Sequence, residues 1–156
     1  NELKEGGKLV IGIENRLGLK YLMGANDDHT GLPNISCLTV DLAKKRYKQK
    51  TGTNLKSFTF SVEEYKELLS GSGFNHIQFY TAHPDYKLPN KIFSISESKN
   101  ACCFNSFLIR GGYFQEHDGG NGEPLKNQAE MKSHYNSLGK LGIAHNFAPS
   151  FYIVAS

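Results

Sequence analysis

Residues 3–31 read LKEGGKLVIGIENRLGLKYLMGANDDHTG, and the fold turns on how this stretch is taken. Lys4-Glu5-Gly6-Gly7 has the composition of a turn, and Lys8 to Ile13 (KLVIGI) is an apolar run of strand length. Its near-continuous apolar character predicts a strand covered on both faces, typically a parallel one. Gly12 within it permits close backbone approach, at some cost in strand propensity. The chain then turns polar. Glu14, Asn15 and Arg16 follow the strand directly, a short helical turn spans residues 17–23 and ends at Gly24, and a loop runs from Asn26 to Asn34. In open α/β sheets ligands bind beyond the carboxyl ends of strands, which places Glu14, Asn15 and Arg16 at such an end. In the loop, Asp28-His29-Thr30-Gly31 sets an imidazole beside a carboxylate, a pairing suited to general-base work near neutral pH. The competing reading is a turn whose Asp and Thr bond their own backbone. Residue types alone leave both open.

At 156 residues the chain has the size of one ordinary domain with a single core, here given boundaries 1–156. Hydrophobic residues make up 38% and charged residues 21%, which argues against wholesale disorder. A net charge of +3 is too slight to make nucleic acid the main partner. No apolar run approaches the roughly 18–20 residues of a transmembrane helix, and the N-terminus lacks a secretory-signal pattern. The opening Asn-Glu-Leu, without Met, suggests a piece of a longer chain. Cys37, Cys102 and Cys103 give no disulfide framework, so a reduced, cytoplasmic setting is expected.

Further along, residues 37–50 are ambiguous by pattern; one reading has Asp41 cap a short helix with Leu42, Ala43 and Tyr47 inward and Lys44, Lys45, Arg46, Lys48 and Lys50 outward. The clearest helix is Ser61 to Leu69: Ser61 and Glu64 form a capping box, and Phe60 staples onto Tyr65. Val62, Tyr65, Leu68 and Leu69 are its apolar stripe, with Gly71 or Gly73 as the stop. His76–Tyr80, Lys91–Ile95 and Phe151–Ala155 read as strands, Phe104–Ile109 as strand or buried helix, residues 117–124 as a loop, and Pro124 opens a helix to about Leu138. Two long excursions remain, at about 24–56 and 96–143. Segments of this length more often carry recognition than scaffold.

Several motifs resolve to ordinary structure. GSG at 71–73 follows a helix instead of joining a strand to one, so it is a C-cap and not a phosphate loop. GGNG at 119–122 is a turn. No zinc-ligand spacing and no GxSxG elbow occur, and no metal is expected. Lys44, Lys45, Arg46, Lys48 and Lys50 place five positive charges in seven positions. They are either a solvated helix face or a surface for a phosphate-bearing acceptor or an anionic membrane. HPDYKLP, 83–89, holds Asp85, Tyr86 and Lys87 between two prolines, which either rigidify a ligand-binding loop or only redirect the chain.

Taken together, four pieces resemble the C-terminal half of a family of bacterial class I S-adenosylmethionine-dependent methyltransferases. LKEGGKLVIGIENRLGLKYLMGANDDHTG (3–31) is similar to the family's fifth strand and the signature after it, and SFTFSVEEYKELLSGSGF (57–74) to the next helix. NHIQFYTAHPDYKLPNKIFS (75–94) looks like the sixth strand with its proline-bounded loop, and APSFYIVAS (148–156) like the closing seventh strand. Residues 32–56 and 96–143 are not covered.

The resemblance implies an α/β chain: the C-terminal portion of a Rossmann-like methyltransferase fold, with a mixed sheet of strands five to seven plus helices. It implies an acceptor-side portion of an enzyme that binds S-adenosylmethionine mainly through residues of a missing N-terminal half. The fragment alone would be inactive. On this reading His29 is the catalytic base and Asp28 orients it, while Glu14, Asn15, Arg16, Thr30, Asp85, Tyr86 and Lys87 contact the substrate. Relatives associated with surface-polysaccharide synthesis make a saccharide or saccharide-linked small molecule the expected acceptor. The alternative is a non-catalytic binding or assembly module derived from such a half-domain. In either case an exposed sheet edge predicts self-association.

Overall fold

The computed structural model describes residues 3–4, 6–98 and 124–156. In chain order the elements are β1 (Leu9–Glu14), α1 (Leu19–Leu22), α2 (Val40–Thr51), α3 (Val62–Gly71), β2 (Ile77–His83), β3 (Lys91–Ser94), α4 (Ile95–Ser98), α5 (Pro124–Lys140), a 3₁₀ turn (Ala144–Phe147) and β4 (Ser150–Ala155). Among the described residues the chain is an α/β unit built on one open four-stranded sheet of order β1-β4-β2-β3. Every bonded pair of these four strands is antiparallel. The last strand therefore lies between β1 and β2, which run parallel to each other without touching.

Register decides which side chains meet. Leu9, Ile11 and Ile13 stand opposite Ala155, Ile153 and Phe151, and Phe79 of β2 stands opposite Ile153. Directly paired residues share a face, so these form one apolar surface. Against it pack Leu19 and Tyr21 of α1, Val62, Tyr65 and Leu69 of α3, and Met131 and Tyr135 of α5. Phe151 and Ile153 are fully buried, each worth roughly 1.5–3 kcal/mol of burial. Phe79 and Phe151 meet edge to face across the β2–β4 pair.

The opening strand departs from its expected setting. β1 bonds to β4 in antiparallel fashion and stands at the sheet's end, and Val10 is 64% exposed. Only one of its faces lies on the core. A continuous apolar run does not reveal this, because β1's partner is the far end of the chain, beyond the reach of local pattern.

Local signals fared well where partners are near in sequence. Ser61 and Glu64 make both bonds of the capping box, at 3.4 and 2.7 Å. Phe60 meets Tyr65 edge to face, with ring centroids 5.4 Å apart. Leu68, however, is exposed. Helix α2 starts after Thr39 and not at Asp41. It buries Ala43 in a satellite cluster with Ile35 and Leu55, flanked by Leu32, Leu38, Tyr47 and Phe58. Leu42 points away from that cluster and is 54% exposed.

Pro124 opens α5 as expected, and the helix runs on to Lys140. Cys37 is a free thiol. Cys102, Cys103, Phe104–Ile109 and the 117–123 loop lie outside the described residues. Among the described residues, no helix is long and apolar enough to cross a membrane.

Candidate functional site

Glu14 is the last residue of β1, paired in register with Ser150 and only 2% exposed. A carboxylate so buried must be paired or hydrogen-bonded to persist. Its side chain is met from two directions. Lys87 Nζ lies 3.2 Å from Oε1, and His29 Nε2 lies 3.4 Å from Oε2. Behind it, the Tyr65 hydroxyl donates to the Glu14 main-chain oxygen at 3.3 Å, tying the strand end to α3.

His29 is delivered by a loop that Asp27 shapes. Asp27 Oδ1 accepts the main-chain N–H groups of His29 (3.0 Å) and Thr30 (2.7 Å), and its Oδ2 accepts the Ser36 hydroxyl at 2.6 Å. This is an Asx-type turn, in which a short acidic side chain replaces backbone partners. Gly31 follows with φ of 66°, a left-handed value that favours glycine. The His29 side chain remains 39% exposed, open to a ligand on the side away from Glu14. Thr30 serves the turn itself, its hydroxyl accepting the Leu32 N–H at 3.3 Å.

Asp28 turns inward. Its Oδ2 accepts Lys20 Nζ at 2.8 Å and the Tyr21 hydroxyl at 2.7 Å, with both Lys20 and Asp28 almost wholly buried. Burial first, and then the charge and hydrogen bond of Asp28, push the Tyr21 phenol well above its ordinary range. The carboxylate facing His29 is thus Glu14, while Asp28 anchors the loop to α1.

The second arm is the loop after β2. The His83–Pro84 bond is cis, and the Asn90 N–H donates back to the His83 oxygen at 2.7 Å, closing the loop. Asp85 Oδ1 accepts the Lys87 N–H at 2.8 Å. The Tyr152 hydroxyl of β4 donates to the Tyr86 oxygen. The Tyr86 ring lies on Gly12, where an added Cβ would come within 2.6 Å of it. Burial and the charge of Glu14 both raise the Tyr86 phenol. Desolvation pulls the Lys87 ammonium down, but the hydrogen bond and charge of Glu14, with Asp85 and Tyr86, outweigh it and leave Lys87 raised.

The three segments converge. One carboxylate oxygen from each of Glu14, Asp28 and Asp85 falls within 4.8 Å of the others. Two of these carboxylates already face ammonium groups, Lys87 on Glu14 and Lys20 on Asp28, so a divalent cation would have to displace both. Such a cluster can hold a hydroxyl-bearing ligand, with acceptors in the carboxylates, a donor in Lys87 and an aromatic wall in Tyr86. His29 supplies an imidazole at its rim.

Asn15 and Arg16, adjacent in sequence to Glu14, do different work. Asn15 is fully buried, donating to the Asn146 and Ala148 oxygens at 2.8 Å each and accepting the Leu17 N–H at 3.0 Å. Arg16 Nε binds Glu64 at 2.6 Å, and its Nη1 reaches the Cys37 oxygen at 3.2 Å. The Arg16 hydrogen bond, outweighing partial burial and aided by the Ser61 contacts, holds the Glu64 carboxyl down at about 2. Sequence reasoning missed Asp27, Lys20 and Tyr21. Lys20 did carry a signal: a lone cation inside the apolar LGLKYLMG run requires a buried partner. No family model, curated protein or solved structure matches this chain.

Proposed function

We propose that this chain is the C-terminal, acceptor-side portion of a Rossmann-like S-adenosylmethionine-dependent methyltransferase, with the cofactor held mainly by residues outside these 156. One observation carries the reading. Two loops that the sequence likeness singles out, Asp27–Gly31 and Pro84–Asn90, converge on Glu14 at the carboxyl end of the strand it also singles out. That is where an open α/β sheet collects its ligands. The strands numbered five, six and seven by the resemblance are neighbours in one sheet, in the order five–seven–six.

Methyl transfer from a sulfonium is an in-line displacement. S-adenosylmethionine, if bound, would supply an electrophilic methyl group with a neutral thioether as leaving group, and the acceptor hydroxyl would have to lose its proton to a base. Orientation supplies much of the rate and a base the remainder. His29 Nδ1 takes the acceptor proton, while Glu14, facing Nε2, stabilises the imidazolium that forms. In this arrangement Asp28 acts through the loop, not through the imidazole. Lys87, Asp85 and Tyr86 position a saccharide or other polyhydroxylated acceptor at the rim. In a longer polypeptide carrying these residues, His29→Ala should slow transfer about 10²–10⁴-fold yet leave S-adenosylmethionine affinity unchanged. Wild-type turnover in that variant would remove His29 from the chemistry.

A second reading, a non-catalytic binding or assembly module, draws on the ion pairs themselves. Lys87–Glu14 and Lys20–Asp28 are also what a purely structural network would contain. Absence of cofactor binding in the longer polypeptide would favour it.

A further inference from the structure

The chain's positive charge is not spread over its surface. Residues 40–56 contain six cationic side chains (Lys44, Lys45, Arg46, Lys48, Lys50 and Lys56) and one acidic side chain, Asp41, a net of +5. The whole chain carries +3, so the other residues sum to −2. The basic character of the protein resides in helix α2 and the segment that follows it.

The structure displays that charge. All six cations are exposed, five of them on a helix that buries only Ala43 and the sixth, Lys56, in the segment beyond it. The helix sits on its own satellite cluster and not on the main core. Two of the six are steadied from below: Lys44 lies over the Phe58 ring at 5.2 Å, and Arg46 Nη1 donates to the Asn34 oxygen at 3.0 Å. Lys45 and Lys48 project from the middle of the helix, and Leu42 stands beside them, apolar and 54% exposed.

We propose that α2 is a docking face for an anionic bilayer surface, binding peripherally through its lysines, with Leu42 entering the headgroup layer. The chemistry favours lipid over nucleic acid. Five of the six cations are lysines, compact point charges suited to a diffuse negative plane, not forks for bidentate base or phosphate recognition. The one arginine is engaged with Asn34. Tyr47 and Phe58 are half-buried in the cluster below, so α2 offers no exposed aromatic platform for single strands. A lone exposed leucine within a lysine field matches an interfacial contact, where each cation near an anionic surface adds a small, salt-sensitive increment. This inference does not depend on the methyl-transfer reading.

The test is co-sedimentation of the whole chain with vesicles of phosphatidylcholine containing phosphatidylserine, and with vesicles of phosphatidylcholine alone, at low and at high salt. The protein should partition onto the serine-containing vesicles only, and high salt should release it. Lys45→Gln with Lys48→Gln should weaken partitioning by about thirty-fold, from the increments of two surface cations. Circular dichroism identical to the parent's will show the double variant folded, since neither lysine contacts the core. Equal sedimentation with both vesicle types, no binding at low salt, or unchanged binding of the variant would overturn the proposal. So would tighter binding to a DNA or RNA oligonucleotide than to the anionic vesicles at the same salt.

Discussion

Tyr86 packs against Gly12, and the fit leaves no room for a side chain on the strand: a Cβ at residue 12 would stand 2.6 Å from Tyr86 Cδ2 and 3.1 Å from Tyr152 Cε1. Gly12 weakens β1 as a strand, yet it is what lets the 84–90 loop fold across the sheet. With Tyr86 seated there and its main-chain oxygen held by Tyr152, Lys87 reaches Glu14.

Gly12→Ala should therefore act at a distance. Overpacking of this kind costs about 1–3 kcal/mol. Part of that cost should appear as loosening of the loop. Hydrogen exchange is expected to quicken at the Lys87 amide, which Asp85 protects, while amides of β4 stay slow. Uniform quickening across the sheet would mean that Gly12 serves the strand and not the loop.

Asn15 predicts a loss of stability without any role at the ligand. Its amide satisfies the Asn146 and Ala148 oxygens and its carbonyl the Leu17 N–H. Asn15→Ala orphans buried backbone groups, each worth about 1–3 kcal/mol, so the midpoint of urea unfolding should fall sharply. Asn15→Asp should be nearly as damaging, because an acceptor replaces the donor that faces two carbonyl oxygens. A midpoint unchanged in both variants would contradict the geometry.

These two residues mark the limit of what sequence discloses. The Ser61–Glu64 capping box and the Phe60–Tyr65 contact are readable because their partners lie within a few positions. KLVIGI could be read as a strand but not given its neighbour, since β4 lies more than a hundred residues on and pairs antiparallel. Glu14, Asn15 and Arg16 are equivalent on paper as polar groups at a strand end. Only the fold separates them, turning Glu14 towards His29 and Lys87, Asn15 into the interior and Arg16 onto α3. Likewise Asp28 is the nearest carboxylate to His29 in sequence, whereas Glu14 is the one that faces it in space.

Glu64 gives a prediction in acid. Its folded carboxyl sits at about 2 against an ordinary 4.5. A depressed acid stabilises the fold above its unfolded pKa and loses that contribution as pH falls from about 4.5 towards 2. The Glu64 side chain is about one-third exposed, so screening reduces the contribution to roughly 1 kcal/mol. The stability gap between the parent and Glu64→Gln should accordingly narrow between pH 5 and 2.5 in urea titrations. A gap constant over that range would show that the Arg16 contact carries no net stability.

His83 predicts acid sensitivity at higher pH. It ends β2 in a buried position, and burial pushes its imidazole down to about 3 from 6.5. The unfolded chain takes up a proton below 6.5 that the folded chain refuses. Stability should decline as pH falls from 6.5 towards 3, by at most about 1.4 kcal/mol per pH unit. His83→Gln should flatten that decline while lowering stability at neutral pH. An unaltered slope would place the titrating group elsewhere.

Glu14 and His29 are proposed to form the acceptor side of a methyl-transfer site. The most direct measurement is S-adenosylhomocysteine release by a longer polypeptide that carries these residues and binds S-adenosylmethionine, assayed over a panel of saccharide acceptors. Release should depend on an acceptor and slow about 10²–10⁴-fold in His29→Ala with cofactor affinity intact. Release at the wild-type rate in His29→Ala, or a longer polypeptide that binds no S-adenosylmethionine, would contradict that proposal.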